Sequence, residues 1–300
     1  NLSIAERDVF LKDIDQMLEW GRGALKIAKD YTVENLEKLA PFGSFDSNHL
    51  SIVREDGCLD LYDGNMRAID AQGNTIFDQV APADYASVLT EEVKPWSYMK
   101  FPFINSIGPE NGWYRVGPLS RINACDFIDT PEAELARQEF MAVTDGKPNN
   151  ITMAYHWARM IETLHAIEKI RDLLNDPDLQ GEDLVVKGER REEGIAIVEA
   201  PRGTLFHHYK VDENDQVTMA NLIVSTTSNN IPMNRAVEKV AQDHISGVAE
   251  ITEGLLNHIE VAIRAYDPCL SCATHALGKM PLEISLIDVE GNVVDSKSTR

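Results

Sequence analysis

Four cysteines among 300 residues are too few for the disulfide framework that holds small secreted domains together, and they point to a reducing, cytoplasmic compartment. Basic residues are also scarce: 28 Lys and Arg stand against 49 Asp and Glu, a formal net charge of −21. Such a surface repels phosphate backbones and anionic lipid, so neither nucleic acid nor a membrane is an expected partner. Apolar runs are short, residues 195–198 and 222–224 among the longest, far below the roughly 20 residues that cross a bilayer. The start, at Asn1 with the first methionine at Met17, carries no charged n-region followed by an apolar h-region. No G-x-G-x-x-G fingerprint marks a dinucleotide site, and no internal repeat, low-complexity tract or linker is visible. What remains is an ordinary globular composition, 43% hydrophobic and 26% charged. It reads as one integrated domain, although length alone suggests about two.

Helical spacing opens the chain, with Leu11, Ile14, Met17 and Leu18 on one stripe and Leu36 with Leu39 on another, so two helices are expected before Pro41. Asp56-Gly57, Asp63-Gly64-Asn65 and Gln72-Gly73-Asn74 then suit tight turns and predict a small antiparallel sheet over residues 53–79. Residues 96–122, rich in Pro, Gly and aromatics, predict an ordered but irregular connection of the kind that often carries function. Helical periodicity returns at residues 132–143 and 153–174, the second with Ala154, Trp157, Ile161, Leu164 and Ile167 on one broad apolar face. Residues 194–225 read as three strands, and residues 234–265 as one long helix or two end to end, limited by Pro268. Residues 282–294 alternate around Glu290-Gly291-Asn292 as a hairpin. The expected fold class is α+β, mostly helical, with long helices and small antiparallel sheets.

Chemistry concentrates in Asp267-Pro268-Cys269-Leu270-Ser271-Cys272-Ala273-Thr274-His275. Two thiolates three residues apart in a tight turn can face one metal, and soft sulfur suits zinc, nickel, copper or iron. Taken alone, the pair fits a structural zinc half-site or a redox pair equally well. Zinc needs about four ligands, and neither a second C-x-x-C nor an H-x-x-x-H accompanies this one. A thioredoxin-like motif follows a strand and opens a helix, whereas this one follows a helix. Other candidates have plainer readings. His207 and His208 lie on a strand and point to opposite faces, which bars them from sharing an ion and marks them as structural. His165, His244 and His258 are expected to be packed or solvated, Cys58 and Cys125 to be inert small hydrophobes, Trp157 to be core, and residues 189–193 to form a solvated turn.

The same residues carry a resemblance. D-P-C-x-x-C-x-x-H, complete here, is similar to the C-terminal signature of the nickel–iron hydrogenase large subunit. Glu199-Ala-Pro-Arg-Gly-Thr-Leu-Phe-His207 resembles that family's E-A-P-R-G-x-L-x-H segment, and Ser225-Thr-Thr-Ser-Asn229 sits where the family has a threonine-rich turn. Trp96-Ser-Tyr-Met-Lys-Phe-Pro102 and Tyr114-Arg-Val-Gly-Pro118 are most like the cytoplasmic, bidirectional NAD(P)-linked branch. The resemblance runs from about residue 50 to about residue 285, with the motifs in the family's order. It implies a nickel and an iron bridged by cysteine sulfur, the iron also holding one CO and two cyanides. Cys269 would be a terminal nickel thiolate and Cys272 the bridge to iron. Asp267 would orient Arg202, whose guanidinium would offer a cyanide charge-assisted hydrogen bonds. Pro201 would lie in the same cofactor-binding turn, and Thr226, with Thr227 beside it, would donate to the second cyanide. His275 would ligate magnesium and end the mature chain.

Two departures from the family pattern follow. The R-x-C-G-x-C motif that supplies the other two thiolates, and the proton-relay glutamate near it, are absent, and Cys58 and Cys125 are too far apart to replace the motif. The expectation is an N-terminally truncated subunit in which the centre is incomplete. The chain also continues beyond His275 to Arg300, which implies a precursor: residues 1–275 as the integrated domain, and residues 276–300 as an extension that a dedicated endopeptidase removes. The implied function is reversible H2 oxidation, with electrons leaving through an iron–sulfur small subunit to NAD(P)-linked diaphorase subunits. A maturation chaperone joins the endopeptidase as a further implied partner. The alternatives are another cytoplasmic nickel–iron branch with a different acceptor, a maturation-stage binding module, or a metal-free scaffold with the hydrogenase fold. Retention of both cysteines with Arg202 argues against the last.

Overall fold

The structure, a computed structural model, describes residues 2–278 and 281–298. Helix α1 (Ile4–Glu34) opens on a capping box in which Ser3 Oγ accepts from the Glu6 N–H at 3.3 Å and the Glu6 carboxylate accepts from the Ser3 N–H at 3.0 Å. A single turn, α2 (Leu36–Leu39), follows. Strands β1 (Asn48–Val53), β2 (Asn65–Ile69) and β3 (Thr75–Val80) form the antiparallel meander that the turn residues predict. Short helix α3 (Tyr85–Val88) leads into the hairpin of β4 (Leu89–Glu92) and β5 (Phe101–Ile104). Strand β6 (Tyr114–Arg115) joins β1 in parallel, giving the order β3-β2-β1-β6. Residues 96–122 are therefore more regular than expected, because they also contain the wholly buried helix α4 (Pro118–Ala124).

Helices α5 (Pro131–Ala142) and α6 (Tyr155–Leu174) come next. The three-stranded antiparallel sheet of β7 (Glu193–Ala200), β8 (Gly203–Val211) and β9 (Val217–Ile223) then feeds the short helix α7 (Ser225–Ser228). Glu193 belongs to β7 and pairs with Lys210 and His208, so the expected solvated turn ends one residue earlier. Of the two readings for residues 234–265, the structure has two helices, α8 (Asn230–His244) and α9 (Glu253–Ala265), separated by a turn in which Gly247 takes φ +82°. Helix α10 (Leu270–Thr274) and the hairpin of β10 (Glu283–Ile287) and β11 (Val293–Ser298) complete the chain. The hairpin lies against α8 and α9 through Leu282, Ile284 and Leu286, and the Asp295 carboxylate accepts from the Ile251 N–H at 2.8 Å. Of the extension 276–300, residues 279, 280, 299 and 300 lie outside the described residues. No helix of the described residues is long and apolar enough to cross a membrane.

The apolar stripes become three clusters. Ile14 and Leu18 of α1 pack on Leu164, Ile167 and Leu174 of α6, where a Cβ on Gly21 would lie 2.9 Å from Ile167 Cδ1. Trp157, edge-on to Phe140 at 5.0 Å, centres the helical core with Ala158, Ile161, Met233 and Ile259. Leu50, Ile52, Ile197, Phe206 and Ile223 join the two main sheets. Helix α5 shows how packing decides a cap. Thr130, at its N-cap, directs its hydroxyl to His165 Nδ1 at 2.8 Å, and buried Glu168 of α6 accepts from the Glu132 and Ala133 N–H groups at 3.2 and 3.0 Å. We expect Glu168→Ala, which leaves both donors unmet, to cost about 2 kcal/mol in urea unfolding. An unchanged midpoint would refute this cap.

Candidate metal centre

The hairpin between β7 and β8 turns on two residues, Pro201 and Arg202, with Ala200 paired to Gly203. Gly203 takes φ +134°, and a Cβ there would lie 2.3 Å from Val116 Cγ2. A Cβ on Gly117 would lie 2.8 Å from the Arg202 carbonyl oxygen. Both positions therefore require glycine for the turn to seat against the end of β6.

Helix α9 leaves through Asp267, which takes φ +49°. In this left-handed conformation Asp267 presents two acceptors to one guanidinium: Arg202 Nε donates to the Asp267 carbonyl at 2.5 Å and stands 3.3 Å from its carboxylate. Both side chains are partly solvated, so this contact orients the arginine more than it stabilises the fold. Cys269 follows Pro268, and its N–H donates to Thr226 Oγ1 at 3.0 Å, tying the cysteine loop to α7. Cys269 is the N-cap of α10, and Cys272 lies inside that helix. The motif thus follows a helix, as expected, but also opens one.

Pro201, Arg202, Thr226, Cys269, Cys272 and His275 line one cavity of about 370 Å³. Thr227 lines a neighbouring hollow of about 280 Å³ with Glu91, Lys100, Asn221 and His275. His275, left-handed at φ +53°, borders both. The Cys269 thiol is pulled below its usual range, first by the hydrogen bond from Cys272 and then by the nearby N–H, Ser271 and the charge of Arg202; Cys272 is pushed up by the same pairing. Among the described residues no three His, Cys, Asp or Glu side chains converge as a metal cluster, so the two sulfurs stand as a pair. Two soft donors beside a guanidinium and a threonine hydroxyl fit half the donor set of a thiolate-bound nickel–iron group.

Cys58 and Cys125 are buried in the core, with their thiols on the Leu59 and Ile122 carbonyls. Burial pushes both thiols up, that of Cys125 to about 12. His165 is buried on Thr130, while His244 and His258 stack on each other and on Phe42. His207 and His208 face opposite ways, as the strand demands. His208 bonds Tyr85 and Glu193, and His207 bonds the Tyr209 hydroxyl at 2.9 Å and borders the cysteine cavity.

Sequence reading missed Glu91 and Arg121. The Glu91 Oε2 accepts from Lys100 at 3.1 Å, whereas its buried Oε1 has no partner among the described residues. An orphaned carboxylate oxygen beside His275 fits a hydrated divalent cation. Nothing at the level of residue spacing distinguishes Glu91 from the many surface acids around it.

Residues 28–275 match the family described as nickel-dependent hydrogenase. The chain is 45% identical to the NAD-reducing hydrogenase HoxS subunit beta of Cupriavidus necator, over 99% of this chain and 63% of that protein. It is 41% identical to an F420-non-reducing hydrogenase iron-sulfur subunit of Archaeoglobus profundus, over 93% of this chain and 60% of that one. A crystal structure of an NAD+-reducing NiFe hydrogenase in the H2-reduced state superimposes with TM-score 0.88 at 48% identity, covering 92% of this chain and 61% of that chain. A NiFeSe hydrogenase from Desulfovibrio vulgaris Hildenborough shares the fold at TM-score 0.63 and 20% identity, covering 91% of this chain and 62% of that one. The chain therefore spans about three-fifths of the length of the relatives it matches.

Thiolate chemistry gives a direct check of the geometry. Alkylation follows thiolate fraction and access. Cys269 should react first, with its rate rising at lower pH than that of an unperturbed thiol, because a lowered pKa exposes thiolate at lower pH. Cys58 and Cys125 should stay unmodified until the protein is unfolded, and equal labelling of all four in the native chain would contradict the burial. On its fold, its motifs and its relatives, the chain belongs to the nickel-dependent hydrogenase family, that of the NiFe large subunit.

Proposed function

We propose that this chain is the catalytic part of the large subunit of a soluble, cytoplasmic nickel–iron hydrogenase that oxidises H2 reversibly. The observation that carries the reading is the convergence of Cys269, Cys272, Arg202 and Thr226 on one cavity, with Asp267 orienting the arginine. When bound there, the nickel–iron group with its CO and cyanide ligands supplies the heterolytic cleavage of H2. Cys269 would hold nickel and Cys272 would bridge it to iron. Arg202 uses Nε on Asp267, which leaves both Nη groups, unpartnered among the described residues, to donate to an anionic ligand. Thr226 Oγ1 already accepts from Cys269, so its hydrogen remains to be donated to a second such ligand. The Cys269 sulfur is the proton acceptor in this scheme, since a guanidinium keeps its proton in proteins. His275, with the orphaned Glu91 oxygen across the hollow, would hold magnesium.

The two sulfurs here are half of what the centre needs. The other thiolates and the relay glutamate would come from a segment outside this sequence, so the 300-residue chain alone would not hold the centre. Electrons would leave through an iron–sulfur small subunit, since Cys269 and Cys272 are committed to the metal centre and Cys58 and Cys125 are buried in the core. The identity with an NAD-reducing relative favours NAD(P) as the final acceptor, reached through diaphorase subunits. A second branch, with a different acceptor, is favoured by the 41% identity to a relative named F420-non-reducing.

In the complete enzyme we expect stoichiometric nickel and iron together with CO and cyanide infrared bands. Arg202→Lys, which keeps charge but loses the planar fork, should retain the metals while H2 oxidation falls at least about tenfold, roughly 1.4 kcal/mol of barrier. Absence of nickel or of the bands refutes the function, and full turnover in a metallated Arg202→Lys enzyme removes the arginine from it.

Residues 276–300 would be cut away after His275 by an endopeptidase working with a maturation chaperone, letting His275 reach magnesium and close the centre. A complete subunit made with a stop codon after His275 should then acquire less nickel than the precursor route delivers. Equal metal content and equal activity of the uncut precursor would contradict control by the extension.

A further inference from the structure

Behind the Pro201–Arg202 turn lies an ion triad. Arg121, on α4, is buried at 2% side-chain exposure, Glu199 at 0% and Glu162 at 12%. All five guanidinium N–H groups are used. Nε and Nη2 grip the Glu162 carboxylate at 2.6 Å each, and Nη1 donates to Glu199 Oε2 at 2.8 Å. The remaining two go to the turn itself: Nη1 to the Ala200 carbonyl at 2.8 Å and Nη2 to the Pro201 carbonyl at 3.3 Å. Glu199 is fixed in its own right by the Thr204 hydroxyl at 2.7 Å and the Ile52 N–H at 3.1 Å. Burial pushes the Glu199 carboxyl up, and Arg121, the Thr204 hydroxyl and the Ile52 N–H, which all donate to it, oppose this.

A buried ion cluster is a poor source of stability, since desolvation offsets much of its attraction. What it provides is geometry, and here the geometry ends on two consecutive carbonyls immediately before Arg202. Among the described residues, the Arg202 side chain is held on its outer side by the partly solvated Asp267. From the inner side, Arg121 fixes the height of the turn, and the Gly117 and Gly203 contacts fix its approach to β6. We propose that Arg121, clamped by Glu162 and Glu199, is a positioning residue that sets where the Arg202 guanidinium stands over the cysteine cavity. The proposal deepens the hydrogenase reading and rests on it for the catalytic consequence. The placement of the turn itself does not depend on that reading.

The test has two arms. In the complete large subunit, hydrogen–deuterium exchange at residues 202–205 should rise at least tenfold in Arg121→Lys, whose ammonium offers three donors in place of five. Glu168→Ala, which weakens the fold at α5 without touching the turn, should leave those amides alone. Glu162→Gln keeps the side chain's shape and should act in the same direction by about threefold, so the comparison does not hang on one variant. In the complete enzyme, Arg121→Lys should retain nickel and iron yet shift the cyanide stretches and lower H2 oxidation by tenfold or more, while Glu168→Ala shifts neither. Unchanged exchange at residues 202–205 in both triad variants, or an equal rise in Glu168→Ala, overturns the proposal, as do wild-type cyanide stretches in metallated Arg121→Lys. A wild-type enzyme without those bands would instead refute the hydrogenase reading, and the exchange arm would still decide what Arg121 does.

Discussion

One guanidinium joins two pieces of backbone that are far apart in sequence. Arg202 reaches from a two-residue hairpin turn to the carbonyl of Asp267, at the left-handed exit of α9. Without that exit the chain would carry Pro268 and Cys269 along another direction, and without the turn there would be no cation above the cysteines. The constraint propagates outward: Gly203 and Gly117 lack side chains because the turn must touch β6, Ser225 Oγ donates to the Gly203 carbonyl at 2.6 Å, and Thr226 takes the N–H of Cys269. The site is thus built from the ends of elements, where backbone direction changes and side chains from different strands and helices can meet.

The parts of the fold that were legible are those with strong periodicity or strong turn chemistry. The stripe at Ile14 and Leu18, the apolar face around Trp157, and the turns at Gln72-Gly73-Asn74 and Glu290-Gly291-Asn292 each announced their element. The break between α8 and α9 was ambiguous because apolar spacing runs through it, and Gly247 and the N-cap Thr252 mark it only weakly. Helix α4 was hidden for a different reason. Its seven residues are too few to establish a period, and polar Ser120, Arg121 and Asn123 are buried with Leu119 and Ile122, so polarity does not mark a solvated face there.

At the site, the motifs singled out Cys269, Cys272, Arg202 and Asp267, and the structure brings the cysteines and Arg202 to one cavity with Asp267 on the arginine. Thr227 was read with Thr226, but successive residues of a short helix point apart, and the structure turns it toward the hollow of His275. Arg121 and Glu91 had no signal of that kind. Their roles arise from burial and from contacts 78 residues apart for Arg121 with Glu199 and 9 apart for Glu91 with Lys100. Such contacts exist only once the sheets and helices have packed. Glu199 sits between the two cases: its motif was visible, but its task, as a buried acceptor for Arg121, Thr204 and Ile52, was not.

On the proposed function, this chain delivers two sulfurs and a cation to a nickel–iron group. Nickel K-edge X-ray absorption on the complete enzyme tests it most directly, because it counts sulfur neighbours of nickel without reference to turnover. The account predicts about four sulfurs, in keeping with soft-ligand metal sites, and the loss of one from that shell in Cys269→Ser wherever nickel is retained. A nickel shell unchanged by Cys269→Ser, or nickel bound through nitrogen and oxygen alone in the wild type, would contradict it.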